Sequence, residues 1–328
     1  MRGLAASAGA LALLLSALPA AGVTERDGID LAEERKAIEQ FQALDQRLQD
    51  TGWRLIRGNA PFCERVIPSI GLQLQDMASY GSPEVARAAL GLTRDFAVQT
   101  AAEGSPAAQS GAFPANREIT ALERIDPNDW EADRKLDWRR LTRAHDHIDA
   151  MLVEHGGIAV GFANGETVRL APVEVCAGRF ELDGGSDRMV ATDKRVLIGI
   201  RSEAFGYDTD VFAAGVAHEA AHMLLGHKVW LDRVGRSRGN VRRAEREADR
   251  LIPWLLANAG YDPRAAPRFF EAYQPSSGSV LFIPGTHPKW RDRAAATEPE
   301  IAAVEALTAR EGKADWRMHF RREIDPRD

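Results

Sequence analysis

The sequence predicts an α+β protein: a mainly helical domain with a small edge-strand sheet, joined to a smaller β-rich domain. Three observations lead there. Residues 210–252 contain two stretches of good helix formers with apolar residues at helical spacing. Two short apolar runs, Met189-Val190-Ala191 and Val196-Leu197-Ile198-Gly199-Ile200, flank the turn Thr192-Asp193-Lys194 and read as strands just before the first of those helices. Residues 90–175 alternate strand-length apolar runs with turn residues, and residues 158–162 and 168–170 read as a hairpin around Asn164-Gly165.

In chain order, residues 1–22 read as an export signal. Met1-Arg2 gives a positive start, residues 4–18 are almost wholly apolar, and Pro19-Ala20-Ala21-Gly22 supplies small residues for cleavage. An uncleaved anchor is the alternative, and no later stretch is long and apolar enough to span a bilayer. Residues 23–89 form an N-terminal helical segment expected to pack on the main domain. Its amphipathic helix, residues 26–50, carries Leu31, Ile38, Phe41, Leu44 and Leu48 on one stripe, with Thr51-Gly52 as the expected stop. Residues 90–175 form the smaller domain, with strands expected at Phe96-Ala97-Val98-Gln99 and Glu118-Ile119-Thr120-Ala121-Leu122 and a charged helix over 133–154. Residues 176–300 form the main domain. Residues 301–328 form a helical tail that Trp316, Met318 and Phe320 would dock.

The chemistry gathers in His218-Glu219-Ala220-Ala221-His222. Residues four apart share a helix face, so the two imidazoles can grip one metal ion. Glu219 lies about 100° round the helix from His218, where its carboxylate can serve a metal-bound water as general base without ligating the metal. Zinc is the expected ion, because it lowers the pKa of a bound water to about 7. The motif fixes only three residues and is weak alone. A catalytic zinc also needs a third protein ligand. In Arg242-Arg243-Ala244-Glu245-Arg246-Glu247-Ala248-Asp249, Glu245 and Asp249 share a face while Glu247 points elsewhere, about 200° from Glu245. The simplest assignment makes Glu245 the third ligand and Asp249 the acceptor for a free ring nitrogen of a zinc histidine. The alternative leaves Glu245 and Glu247 as solvated partners of nearby arginines. His227 is displaced by about 140° from His222 on a continuous helix and reads as a non-ligand.

These motifs resemble the HtpX and CAAX-prenyl-protease family of gluzincin zinc metalloendopeptidases. The matches are His218, Glu219, His222, Glu245, Ala248 and Asp249, followed by Ala259-Gly260-Tyr261-Asp262-Pro263 and Thr286-His287-Pro288 with Arg293. The resemblance covers roughly residues 180–300. It implies a zincin-type protease domain holding one zinc ion, with His287 near the metal as oxyanion support or resting-state ligand, and Arg293 bracing the same wall. The strand before the active-site helix would pair with extended substrate. An ordinary loop residue at 287 and an interior strand are the alternatives. The missing membrane spans fit an exported soluble branch, placing the protein in the periplasm or cell envelope of a bacterium, acting on unfolded or misassembled polypeptides. Residues 90–175 resemble a PDZ domain through Gly104-Ser105-Pro106-Ala107, and a peptide carboxylate would dock near Leu90-Gly91-Leu92. A chaperone-like or peptide-binding module with a structural or self-blocked zinc is the competing reading.

The formal charge is −6 and no basic stripe interleaved with aromatics appears, which argues against a nucleic-acid partner. Cys63 and Cys176 are the only cysteines. In an exported protein an even pair suggests one disulfide; two buried thiols are the alternative.

Overall fold

A computed structural model describes residues 28–132, 136–272 and 289–325. The export-signal reading of residues 1–22 and the expected role of His287 lie outside the described residues. The fold is α+β, built on the long helix α1, Leu31–Asn59. Asp30 caps it by accepting the Ala32 and Glu33 N–H groups, and Glu33 and Glu34 complement the positive helix start. The helix does not stop at Thr51-Gly52. A Cβ at position 52 would sit 2.3 Å from Cδ2 of Phe180, so this glycine is a notch that lets a strand approach the helix, and the helix continues to Asn59.

The following strands β1 (Val66–Ser69) and β2 (Leu72–Asp76), helix α2 (Pro83–Leu90), strand β3 (Phe96–Ala101), the single turn α3 (Pro106–Gln109) and strand β4 (Ile119–Leu122) lead to helix α4 (Arg139–His155). Strands β5 (Ile158–Phe162) and β6 (Thr167–Leu170) then form the expected hairpin, with Gly165 at φ +84° in its turn. β2 pairs antiparallel with β3, and β4, β5 and β6 form an antiparallel sheet. Leu74, Phe96, Val98, Ile119, Ile148 and Val160 close a separate apolar core. That core begins at Ile70, upstream of residue 90. Leu90-Gly91-Leu92 is the end of α2, where the Gly91 and Leu92 N–H groups are already bonded to the Ala88 and Arg87 carbonyls and cannot receive a carboxylate.

Strand β7 (Val173–Cys176) returns to pair antiparallel with β1, and Cys176 is disulfide-bonded to Cys63, with 5.5 Å between their Cα atoms. Strands β8 (Arg179–Asp183), β9 (Met189–Ala191) and β10 (Arg195–Gly199) form a sheet in the order β8-β10-β9, with β10 parallel to β8 and antiparallel to β9. Helices α5 (Thr209–Leu224), α6 (His227–Val234), α7 (Arg238–Asn258), α8 (Ala265–Ala272) and α9 (Trp290–Glu311) complete the main lobe, and the short α10 (Trp316–His319) closes it. The large core joins α1, α5, α7, α8 and α9 to β7, β8 and β10. Helix α9 runs through residue 300, so Arg293 and the start of the tail share one rigid element. Trp316 donates its indole N–H to Asn59 and Phe320 is buried, but Met318 is exposed and does not dock the tail as the sequence suggested. No helix among the described residues is long and apolar enough to cross a membrane.

Candidate metal centre

Helix α5 starts at Asp208, whose side chain accepts the Val211 N–H, and its alanine-rich body is buried on nearly every side. His218 and His222 therefore project from a fixed rod. Helix α7 starts at Ser237, which caps Asn240, and packs across α5 with Ala244, Ala248 and Leu251 buried. This crossing brings Glu245 to the two imidazoles. Nε2 of His218 and Nε2 of His222 are 3.2 Å apart. Glu245 Oε2 lies 3.6 Å from the first and Oε1 lies 3.5 Å from the second. Donors held about 2.0–2.1 Å from a tetrahedral zinc sit about 3.3 Å from one another, so this spacing fits a small divalent ion. Among the described residues this group of three donors could hold a metal ion.

The surrounding charges favour a cation. Arg293 donates to both Asp249 oxygens, at 2.8 and 2.6 Å, and its Nη2 is 3.6 Å from Glu245. Glu219 stands in the field of His218, Glu245 and Arg293. The carboxylates of Glu219, Glu245 and Asp249 outnumber the one guanidinium beside them. Burial lowers the His218 pKa, but Asp249 and Glu245 outweigh it and carry it up to about 10. Burial pushes His222 well below its usual value. Burial raises the Glu219 carboxyl above the ordinary carboxylate range, against the pull of His218 and Arg293. Burial tends to raise Asp249 as well, but Arg293 and His218 hold it below the ordinary carboxylate range.

Each site residue predicted from sequence and described here converges: His218, His222 and Glu245 form the donor group, and Glu219 follows His218 on α5. Nδ1 of His218 is 3.1 Å from Oδ1 of Asp249, although the angle makes a poor hydrogen bond. Arg293 braces Asp249 directly and only grazes Glu245.

Two residues that sequence reasoning set aside also belong here. His227 Nδ1 lies 3.0 Å from His222 Nδ1, and His227 Nε2 lies 2.8 Å from Glu247 Oε2. Both are buried, at 1 and 0% exposure, so Glu247 is not solvated. The 140° displacement assumed one continuous helix. Instead α5 ends at Leu224, Gly226 turns left-handed at φ +70°, and α6 restarts at His227 beneath His222. The signal available was Gly226 followed by a histidine.

The chain matches no protein-family model, no curated protein sequence and no solved structure. The reading of the site rests on its geometry. A cleft of about 800 Å³ lies elsewhere, between α1, β2, α4 and β8, and is lined in part by Gln73, Leu74, Leu141, His145 and Phe180. The group that could hold a metal ion lies outside this cleft.

Proposed function

We propose that the protein is an exported zinc-dependent endopeptidase that hydrolyses unfolded or misassembled polypeptides of the bacterial cell envelope. The observation that carries this reading is the convergence of His218, His222 and Glu245 from two helices at donor spacings of 3.2 to 3.6 Å. Those three residues would hold one zinc ion, which when bound supplies Lewis acidity toward a carbonyl and toward water. The disulfide suits an oxidising compartment.

The chain's own groups supply the rest. Among the described residues β9 pairs only with β10, and its Met189 packs against Gly215 of α5, so the outer strand of the sheet runs alongside the helix that carries Glu219. An extended polypeptide that adds to this edge gains backbone hydrogen bonds without strong sequence demands. Glu219 then takes a proton from the attacking water and returns it to the leaving amine. Burial raises its pKa, which makes it a stronger base than an ordinary carboxylate. Arg293 holds Asp249, which steadies His218. Zincin-type architecture and a PDZ-like smaller domain belong to this proposal.

Zinc-loaded protein is expected to digest unfolded casein. Glu219→Gln is expected to keep the metal and lose about 10²–10⁴-fold in rate. A peptide-binding module with a structural zinc is the second reading, favoured by the cleft beside the outer edge of β2. That reading wins if wild type and variant are equally inert while both still bind peptides.

A further inference from the structure

The contacts beneath His222 form a directional chain that ends in the C-terminal tail. Glu247 accepts the Glu323 and Ile324 backbone N–H groups at 2.6 and 3.2 Å. It also accepts from the Arg322 guanidinium at 3.0 and 3.3 Å, while Arg322 Nη2 donates to the Leu225 carbonyl at 3.0 Å. Leu225 stands in the break between α5 and α6. The tail therefore grips both the carboxylate and the backbone turn that places His227.

With His227 neutral, donor and acceptor logic orders the protons. An ionised Glu247 can only accept, so His227 Nε2 carries its proton. A neutral His227 then offers a bare Nδ1. The 3.0 Å contact to His222 Nδ1 requires one proton between the two nitrogens, so His222 must be the donor. His222 is left with a lone pair on Nε2, the atom that faces His218 and Glu245. His222 and His227 then each have one donor and one acceptor nitrogen.

We infer that His227, Glu247 and the tail residues Arg322–Ile324 form a positioning relay that holds His222 in the Nδ1–H tautomer and so sets the affinity of the site for its divalent ion. None of these residues touches substrate. The inference rests on the metal reading above, but the tautomer can be tested without metal. The C-terminal tail thus completes the centre from outside it.

The test uses the full mature chain. Zinc affinity is measured by chelator competition for wild type, His227→Phe, His227→Gln, Glu247→Gln and Arg322→Met. Imidazole ¹⁵N spectra of the metal-free proteins report the tautomers. His227→Phe should weaken zinc binding by about 10–100-fold, the usual size for loss of a ligand's hydrogen-bond partner. His227→Gln should recover much of it, because a carboxamide oxygen accepts the same proton. Arg322 is partly exposed, so Arg322→Met should fold even where core variants fail, and it should shift affinity in the same direction. Metal-free wild type should show His222 as Nδ1–H. Unchanged zinc affinity in both His227→Phe and Arg322→Met overturns the relay, as does an Nε2–H His222 in the wild type. A wild type that binds no zinc sinks the metal reading alone, and the spectra then still decide the relay.

Discussion

Replacing Arg293 by methionine tests the electrostatic frame of the centre. Arg293 is 8% exposed, donates twice to Asp249, and stands over the Phe270 ring at 4.5 Å. Methionine keeps much of the stem's packing and removes the charge. Asp249, at 1% exposure, then loses its strongest partner. Breaking one side of a buried pair typically costs about 3–5 kcal/mol, because a charge is left without compensation. Here His218 remains 3.1 Å from Asp249 and carries a proton in the metal-free chain, which softens the loss. We therefore expect about 3 kcal/mol for Arg293→Met, the low end of that range. The assay is urea unfolding of chelator-treated protein. The double variant Asp249→Asn/Arg293→Met should cost less than the sum of the single variants by about 2 kcal/mol, as coupled neighbours do. A loss under about 1 kcal/mol for Arg293→Met, the value of an exposed pair, would refute the argument. Strict additivity of the two variants would refute it equally.

Reduction of Cys63–Cys176 should destabilise the protein strongly. The bridge spans a sequence separation of 113. The chain-entropy model gives about 5 kcal/mol for a loop of that size, to be checked by thermal melts with and without reductant. Stability should also fall in mild acid. Burial lowers the His145 pKa to about 3, so the unfolded chain, titrating near 6.5, binds protons first. The contribution is complete above about pH 6.5 and is lost as pH falls toward 3. At pH 5 the loss is about 2 kcal/mol. Unfolding curves at pH 8 and pH 5 for wild type and His145→Gln isolate it, and an identical pH dependence in the two would contradict the assignment.

The parts legible in the sequence were those with local signatures. His218-Glu219-Ala220-Ala221-His222, the Glu245 and Asp249 pair, the Asn164-Gly165 hairpin and the strands before α5 all declare themselves within about twenty residues. The parts that were not legible depend on distant partners. β1 and β7 are four-residue strands that exist because they pair across more than a hundred residues. Gly52 read as a helix stop because its reason, the Phe180 ring, lies far along the chain. The left-handed Gly226 broke the helical count that excluded His227. Glu247 read as pointing away from the centre because its partners Arg322, Glu323 and Ile324 arrive from the tail.

Zinc titration of metal-free wild-type protein, set beside His218→Gln and Glu245→Gln, tests the central claim most directly. We predict tight uptake of about one ion per chain, the stoichiometry of a single three-ligand site. Each variant should weaken that uptake severely. A wild type that takes up no zinc, or variants that bind it as tightly as the wild type, would contradict the account.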